Sequence, residues 1–329
     1  MSVTAFPGLK GEATREFDFS PYADFSAACD AVLTYLRQRV GFSLWVVTRT
    51  DGEDWIVLQS RDEHYGIHPG DVFRWAESLC VRMAEGVGPH VAPRIREVPA
   101  YVTAEFARRF PIEAYIGVPL TLEDGSLFGT LCAFDPVPQP ADVAVELPTV
   151  KMLARLLSSM LSQELHVSED ARRTERTQVE AEVDAVTDTV NREGWERLLG
   201  LEEERCLRYG HAACVVSVDL DDFATLAHEG AEAIEDVLHM TAAALRHSCR
   251  ANDVVAHVGD DEFAVLAVEC DFPSGGRLLR RIERALIDRG IKASIGIAVR
   301  DPQRGLDRAW RDAQKAMFER KRTRSARRA

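Results

Sequence analysis

One stretch constrains this chain more than any other. It runs from Arg250 to Leu266, where the apolar runs Val254–Val258 and Phe263–Val268 flank Gly259-Asp260-Asp261. Two strand-forming runs around a Gly/Asp turn predict a β-hairpin, with the turn residues supplying unusual backbone angles. Asp260, Asp261 and Glu262 then crowd three acids at one tip. Like charges there repel unless something positive sits between them. A second acidic strand end lies upstream, Val215-Val216-Ser217-Val218-Asp219-Leu220-Asp221-Asp222-Phe223. Setting Asp219 beside Asp261 on neighbouring strands makes a Mg²⁺ site of the kind used with nucleotide phosphates.

The rest of the chain sets outer bounds. Its 329 residues predict two domains, each large enough for its own core. A net charge of −13 argues against general nucleic-acid binding. The seven cysteines show no Cys-x-x-Cys pair and read as reduced thiols. No signal-peptide pattern opens the sequence, and no apolar stretch reaches membrane-spanning length. The expectation is a soluble cytoplasmic protein.

In chain order, a helix is expected from Pro21, where Phe25, Ala28, Val32, Leu36 and Val40 recur at helical spacing and Gly41 stops the run. Phe42–Arg49 and Trp55–Gln59 read as strands around Asp51-Gly52, and Val72–Ala84 reads as a helix. An irregular segment follows, marked by Gly86, Gly88, Pro89 and Pro93. Tyr115–Leu120 and Ser126–Phe134 are two more strands, around Asp124-Gly125. Pro136, Pro138, Pro140 and Pro148 mark the exit from this unit. Val150, Leu153, Leu157, Met160, Leu161 and Leu165 then repeat at helical steps before a charged stretch, Ser168–Glu182. One long helix is the economical reading. Its apolar stripe packs either on the first domain or on a second copy of the helix. Beyond it, Trp195–Tyr209, Ile234–Cys249, Leu278–Arg289 and Asp307–Arg322 read as helices, and Ala212–Leu220 and Lys292–Val299 as strands.

The hairpin carries a resemblance. Gly259-Asp260-Asp261-Glu262-Phe263 is similar to the signature of the GGDEF family, the diguanylate cyclases, with the second Gly replaced by Asp260. Three further blocks fall in the family's order. They are Asp184-Ala-Val-Thr187-Asp-Thr-Val-Asn191-Arg192-Glu-Gly-Trp195, Ala293-Ser-Ile-Gly296-Ile-Ala, and Ala313-Gln-Lys-Ala-Met317-Phe318-Glu-Arg-Lys321. Upstream, Ile116-Gly117-Val118-Pro119-Leu120 and Gly125-Ser-Leu-Phe128-Gly129-Thr-Leu131-Cys132 resemble a GAF domain. These likenesses imply an α/β (α+β) chain. Residues 1–20 are a tail, 21–143 a GAF sheet-plus-helices sensory domain and 144–183 a linker helix. Residues 184–322 are a palm-like GGDEF domain, and 323–329 a basic tail.

The resemblance also implies chemistry. The family joins two GTP molecules into cyclic di-GMP, which requires two loaded domains face to face and hence a homodimer. Asp219, the Leu220 carbonyl and Asp261 would hold Mg²⁺, with triphosphate oxygens completing the shell. Glu262 would support catalysis beside Asp261, Gly259 and Asp260 would line the nucleotide, and Lys321 would reach the phosphates. The family's later base-contacting Asp aligns with Glu235 after a one-residue gap. GAF domains take varied small ligands, and this one shows no ligand code. Cys80 as a bilin anchor, or His64, His68 and His90 as haem ligands, lack any spacing pattern and read as a buried thiol and loop histidines.

Several residues depart from the pattern. Asp260 adds bulk and charge where a second Gly would let the backbone approach phosphates. Two like charges about 4 Å apart repel by about 4 kcal/mol at an effective dielectric near 20. The guanine-reading Asn is replaced by Ala227, followed by His228, and Asp188-Thr189 replaces the usual Gly-Leu. Arg250-x-x-Asp253, with five residues between Asp253 and Gly259, keeps the spacing of the family's inhibitory product site. The expectation is a cyclase-family signalling protein whose turnover is weak or absent. Its alternatives are a catalytically dead receptor for GTP or cyclic di-GMP, or a dimeric regulator of a protein partner.

Overall fold

The computed structural model describes residues 20–177, 182–221, 223 and 230–326. The first domain opens with α1 (Phe25–Val40), whose start is capped by the Asp24 side chain accepting from the Ala27 N–H at 2.8 Å. Then come β1 (Leu44–Asp51), β2 (Asp54–Asp62), β3 (Val72–Arg74), α2 (Leu79–Ala84), β4 (Val91–Ala92), α3 (Pro99–Val102) and α4 (Glu105–Arg109). The last two strands are β5 (Ala114–Thr121) and β6 (Leu127–Asp135). They form an antiparallel sheet in the order β3-β2-β1-β6-β5-β4.

The period of two along these strands divides two cores. Trp45, Val47, Ile116, Val118 and Leu131 face α1 and the long helix α5 (Leu147–Thr177). Trp55, Tyr115, Cys132 and Phe134 face the opposite side, against α2, α3 and α4. The helix expected across Val72–Ala84 is smaller than its periodicity suggests. Val72 and Phe73 pair with Ile56 and Trp55 as an edge strand, and Ser78 caps a helix that begins only at Leu79. Phe73 gains a ring contact with Trp55 at 5.8 Å by staying extended, which a helix would forfeit.

Of the apolar stripe on α5, Val150, Leu157 and Leu161 are at most 1% exposed within the first domain's core. The intrachain alternative therefore accounts for Leu157 and Leu161. Met152 and Leu156, at 55% and 56% exposed, lie on the open face of the same helix.

The second domain contains α6 (Arg192–Tyr209), β7 (Ala213–Leu220), α7 (Ala231–Ser248), β8 (Val254–His257) and β9 (Glu262–Val268). It ends with α8 (Phe272–Ile287), β10 (Ala293–Val299) and α9 (Gly305–Ala326). The antiparallel sheet runs β10-β7-β9-β8. Every residue of the central strand β7 is buried. Its even residues, Cys214 to Leu220, pack under α7 and α8, while Ala213 and Val215 face α6 and α9. The second of these faces also carries Ser217 and Asp219.

Backbone contact sets how closely α9 lies on this sheet. A Cβ built on Gly296 of β10 would stand 2.0 Å from the Ala313 carbonyl oxygen and 2.4 Å from the Met317 nitrogen.

The hairpin forms in the expected place, with Val254 opposite Leu266 and His257 opposite Phe263. Its turn differs from expectation. None of Gly259, Asp260 and Asp261 adopts a positive φ. Gly259 is tight for another reason: an added Cβ would meet the Glu262 Cβ at 3.3 Å.

The two domains touch through specific groups. The Ala212 N–H donates to Asp51 at 3.0 Å, and Arg49 donates to the Tyr209 carbonyl at 3.1 Å. The Tyr209 hydroxyl donates to Glu164 of α5 at 2.7 Å. Arg172 of α5 grips both oxygens of Glu202 on α6, at 3.1 and 2.9 Å, and reaches Glu269 at 2.8 Å. Arg205 adds contacts to Glu202 and Glu175.

Candidate functional site

The strand register builds the acidic centre. Asp219 stands opposite Glu262 across β7 and β9, and the Leu220 N–H donates to the Asp261 carbonyl at 3.0 Å. Asp219 is 3% exposed, whereas Asp260 projects into solvent at the turn. Because Asp219 shares the sheet face that α9 covers, it meets Lys321, whose ammonium donates to its carboxylate. One helical turn on, Arg324 donates to Asp221 at 3.0 Å, and Ser294 of β10 donates to Asp221 at 2.8 Å.

These contacts do not balance the charge. Burial pushes the Asp219 carboxyl up, Lys321 pulls it back, and Asp261 and Asp221 push it up again. Burial likewise raises Glu262, with Asp219 and Asp261 adding to the shift and Arg192 and Lys321 opposing it. Lys321 is itself raised: burial opposes its charge, but Asp219, Asp261 and Asp221 outweigh that cost. Four carboxylates from two strand ends thus face Lys321 and Arg324 of α9 and, at Glu262, Arg192 of α6. The donors are all hard oxygens, and a further small cation among them relieves the repulsion, so the residue set fits Mg²⁺. Among the described residues no group of three or more His, Cys, Asp or Glu side chains converges as a ready metal cage. Ligand oxygens would have to supply the remainder of a coordination shell.

A second polar cluster fixes the hairpin from behind. Asp184 accepts from the Thr187 N–H and hydroxyl at 2.9 and 2.7 Å and pairs with His257 Nδ1 at 3.1 Å. Burial opposes the charge of Asp184, yet Thr187 and His257 hold its carboxyl below the usual range. His257 stacks on Phe263, centroids 4.7 Å apart, and Arg192 donates to the Val258 carbonyl at 3.2 Å. The Asp184 and Arg192 blocks thus brace the strand leading into Gly259.

Other expected residues lie elsewhere. Glu235 is exposed near the start of α7. The Asp253 carboxylate accepts the Arg250 backbone N–H at 2.7 Å, leaving the Arg250 guanidinium outside that contact on an exposed residue. Ala227 and His228 fall outside the described residues. In the first domain Cys80 is fully buried, 3.3 Å from the Cys132 sulfur. His64 and His68 are exposed, and His90 Nδ1 pairs with the Gly117 carbonyl at 2.8 Å. Arg324 is the site residue that the sequence reading missed. Its signal was available, three residues after Lys321 on one helix face, but it lay in a run read as solvated basic tail.

No helix among the described residues is long and apolar enough to cross a membrane. Two family models match the chain. Residues 24–161 match the family model of the GAF domain, and residues 181–327 match that of the "Diguanylate cyclase, GGDEF domain". The chain is 26% identical over 161 residues to the probable diguanylate cyclase DgcC of Escherichia coli, covering 46% of this chain and 43% of DgcC. It therefore spans less than half the length of that relative. Against the diguanylate cyclase DgcP of Escherichia coli it is 23% identical over 226 residues, 65% of this chain and 66% of DgcP. The solved GGDEF domain of DgcB from Caulobacter crescentus, in complex with c-di-GMP, aligns at a TM-score of 0.42 and 20% identity, over 44% of this chain and 92% of that one. This chain is a GAF domain followed by a GGDEF domain of the diguanylate cyclase family.

Proposed function

We propose that this is a signalling protein of the cyclic di-GMP network, a nominal diguanylate cyclase with an eroded active site and weak or absent turnover. The observation that carries the reading is the unbalanced carboxylate set at Asp219, Asp221, Asp261 and Glu262, held at two strand ends beside Lys321 and Arg324. That set suits a magnesium–triphosphate complex, which brings both the missing cation and a polyanion for the helix cations. Asp219, the Leu220 carbonyl and Asp261 would hold the ion. When bound, Mg²⁺ would neutralise phosphate charge and orient the α-phosphate for attack by a 3′-hydroxyl. Lys321 would exchange Asp219 for a phosphate oxygen. Glu262, opposite Asp219 across β7 and β9, would support the site beside Asp261.

The erosion rests on Asp260 and Ala227. Asp260 presents an exposed carboxylate where the phosphates would approach, and Ala227 carries no group that reads a guanine edge. Glu235 and Gly259 remain as nucleotide contacts. A cyclase assay on the purified chain with Mg²⁺ and GTP tests this directly. Turnover matching an intact family enzyme under the same conditions refutes it.

A second reading, a receptor for cyclic di-GMP, is favoured by Arg250 and Asp253. Asp253 is already braced on the Arg250 backbone, and the exposed guanidinium is suited to stacking on and bonding a guanine. Calorimetry with cyclic di-GMP on the full chain, repeated with Arg250→Ala, separates the two readings. Either role works best as a homodimer. Leu157 and Leu161 are committed to the intrachain core, so the pairing face lies elsewhere.

A further inference from the structure

A sensory domain needs a place for its signal, and the α2–α4 side of the GAF sheet offers little room. Trp55, Phe106, Tyr101, Tyr115 and Phe134 are each at most 4% exposed there. They pack largely edge-on, with centroids 5.1 to 6.2 Å apart. Glycines admit two of these rings. A Cβ on Gly117 would stand 1.8 Å from the Tyr115 hydroxyl oxygen, and one on Gly88 would stand 2.5 Å from the Tyr101 ring.

That packed core holds reactive groups of its own. The Cys80 thiol of α2 donates to Cys132 Sγ of β6 at 3.3 Å, and both residues are fully buried. The Tyr115 hydroxyl donates to Cys80 Sγ at 3.4 Å, and Cys132 Sγ lies 3.5 Å from the Thr130 hydroxyl. We propose that Cys80 and Cys132 form an oxidisable dithiol, closed to a disulfide by a small hydroperoxide, which gives the GAF domain a covalent signal in place of a bound ligand.

Contact between the two sulfurs carries the inference. To bond they need only approach from 3.3 Å to about 2.05 Å. Their elements are distant in sequence, one a helix and the other a central strand, so the bond would fasten two separate layers of the domain. A second pair of neighbours, Cys214 and Cys270, is built differently. There the thiols turn to main-chain carbonyls, Cys214 to that of Cys270 at 3.1 Å and Cys270 to that of Asp271 at 3.8 Å.

The surroundings assign the order of events. Burial opposes a thiolate at Cys80, yet hydrogen bonds from Cys132 and Tyr115 bring it below the ordinary thiol range. Burial lifts Cys132 well above that range, with Cys80 adding to the rise and Thr130 opposing it. Cys80 is therefore the nucleophile. Its sulfur attacks one oxygen of hydrogen peroxide: an S–O bond forms, the O–O bond breaks, and the departing hydroxide leaves as water with the thiol proton. Cys132 then attacks the sulfenic sulfur. The S–S bond forms, the S–O bond breaks, and the hydroxyl leaves as a second water with the Cys132 proton. Two electrons pass from the thiols to the peroxide. Contact makes the second step intramolecular. Burial limits the first, so the oxidant must be small and uncharged, entering as α2, six residues long, opens locally.

Position gives the bond a readout. The Thr130 hydroxyl meets that of Thr48 at 2.8 Å, and Thr48 accepts from Trp55 Nε1 at 2.8 Å. A buried polar line thus runs from the sulfurs into the β1–β2 hairpin. Arg49 and Asp51 of the same hairpin hold Tyr209 and Ala212 of the second domain. A disulfide removes both thiol hydrogens from this line and ties α2 to β6, the strand paired with β1.

The test treats the reduced full chain with hydrogen peroxide, blocks the remaining thiols with iodoacetamide during unfolding, and maps disulfides by mass spectrometry without reductant. Peptides carrying Cys80 and Cys132 should be joined, and dithiothreitol should separate them. In Cys132→Ala the sulfenic acid meets no thiol, so dimedone added during unfolding should label Cys80. Hydrogen exchange at Arg49–Asp51 should differ between the oxidised and reduced chains. Free thiols at both positions once the exposed Met152 has become its sulfoxide overturn the inference. So does a bond mapped instead between Cys214 and Cys270, or a Cys80–Cys132 bond that forms only in urea. A folded Cys132→Ala chain without a Cys80 adduct overturns the chemistry, and identical exchange at Arg49–Asp51 overturns the signalling role. None of these outcomes touches the cyclase reading.

Discussion

Two clusters of basic and carboxylate side chains, the domain seam and the strand ends, differ as a fastening differs from a ligand site. At the domain seam, Arg172 and Arg205 are shared among Glu202, Glu175 and Glu269, and the Arg172–Glu202 pair is 6% and 3% exposed. At the strand ends, Lys321 and Arg324 face Asp219, Asp221, Asp261 and Glu262, and the cations are 36% and 56% exposed. At its centre the seam closes the Arg172–Glu202 pair bidentately and holds it out of water, as a latch must. The strand ends keep surplus negative charge under partly exposed cations that solvent can reach. Surplus charge of one sign, beside counter-ions able to leave, separates a place for a ligand from a structural fastening.

The sharpest way to break this contrast is to delete acids at the strand ends. Asp219→Ala and Asp261→Ala should each abolish any turnover and any saturable magnesium–GTP binding, while global stability moves by about 1 kcal/mol or less. Retained activity in either variant removes that residue from the metal set. A large loss of stability would make the strand ends a second latch. At the seam the expectation inverts. Arg172→Ala strands Glu202 in the interior and should cost about 3–5 kcal/mol in denaturant unfolding. A loss under about 1 kcal/mol would show that the seam is open in solution.

A smaller effect comes from pH. The folded pKa of Asp219 and of Glu262 lies above its unfolded value. Their contribution to stability without metal is therefore fully present below the unfolded carboxyl range and is lost as pH rises through the folded values. Magnesium reverses the slope, because it competes with the proton for the same oxygens. The rise in melting temperature produced by Mg²⁺ with GTP should thus be larger at pH 7 than at pH 5. An equal shift at both values would place the ion elsewhere. The smallest effect is expected for Arg324→Ala, whose exposed pair with Asp221 should contribute about 0–1 kcal/mol to stability. Its signature is weaker nucleotide binding instead, and unchanged binding returns Arg324 to the solvated tail.

What the sequence disclosed follows from how far each interaction reaches along the chain. The hairpin around Gly259, the central strand ending at Leu220 and the helix stopped by Gly41 are written in local periodicity, and each formed where that periodicity placed it, the helix opening at Phe25 and not at Pro21. The Val72–Ala84 stretch misled because Val72 and Phe73 have partners in β2, and a tertiary ring contact outweighed helical spacing. Arg172 gave no local signal, since its partners lie 30 and 97 residues away. Leu157 and Leu161 fitted either of two packings equally well, because a stripe of leucines records that a face is covered and not what covers it. The acids at 219 and 261 stood out in the sequence as strand-end carboxylates, but Arg324, the counter-ion of neighbouring Asp221, was hidden in a run of like residues.

Gly296 gives these observations a mechanical reading. The helix bearing Lys321 and Arg324 rests on the sheet with backbone against backbone, since no side chain fits between Gly296 and Ala313. The missing side chain acts as a shim of zero thickness: it sets the gauge between the acidic floor and the beam that carries its counter-charges. Gly296→Ala would insert one methyl at this bearing, four residues before Lys321 counted from Met317, and prise the beam outward. The strand ends would lose their positive cover with every charged residue still in place. Electrostatics at this site is therefore tuned by clearance as much as by charge.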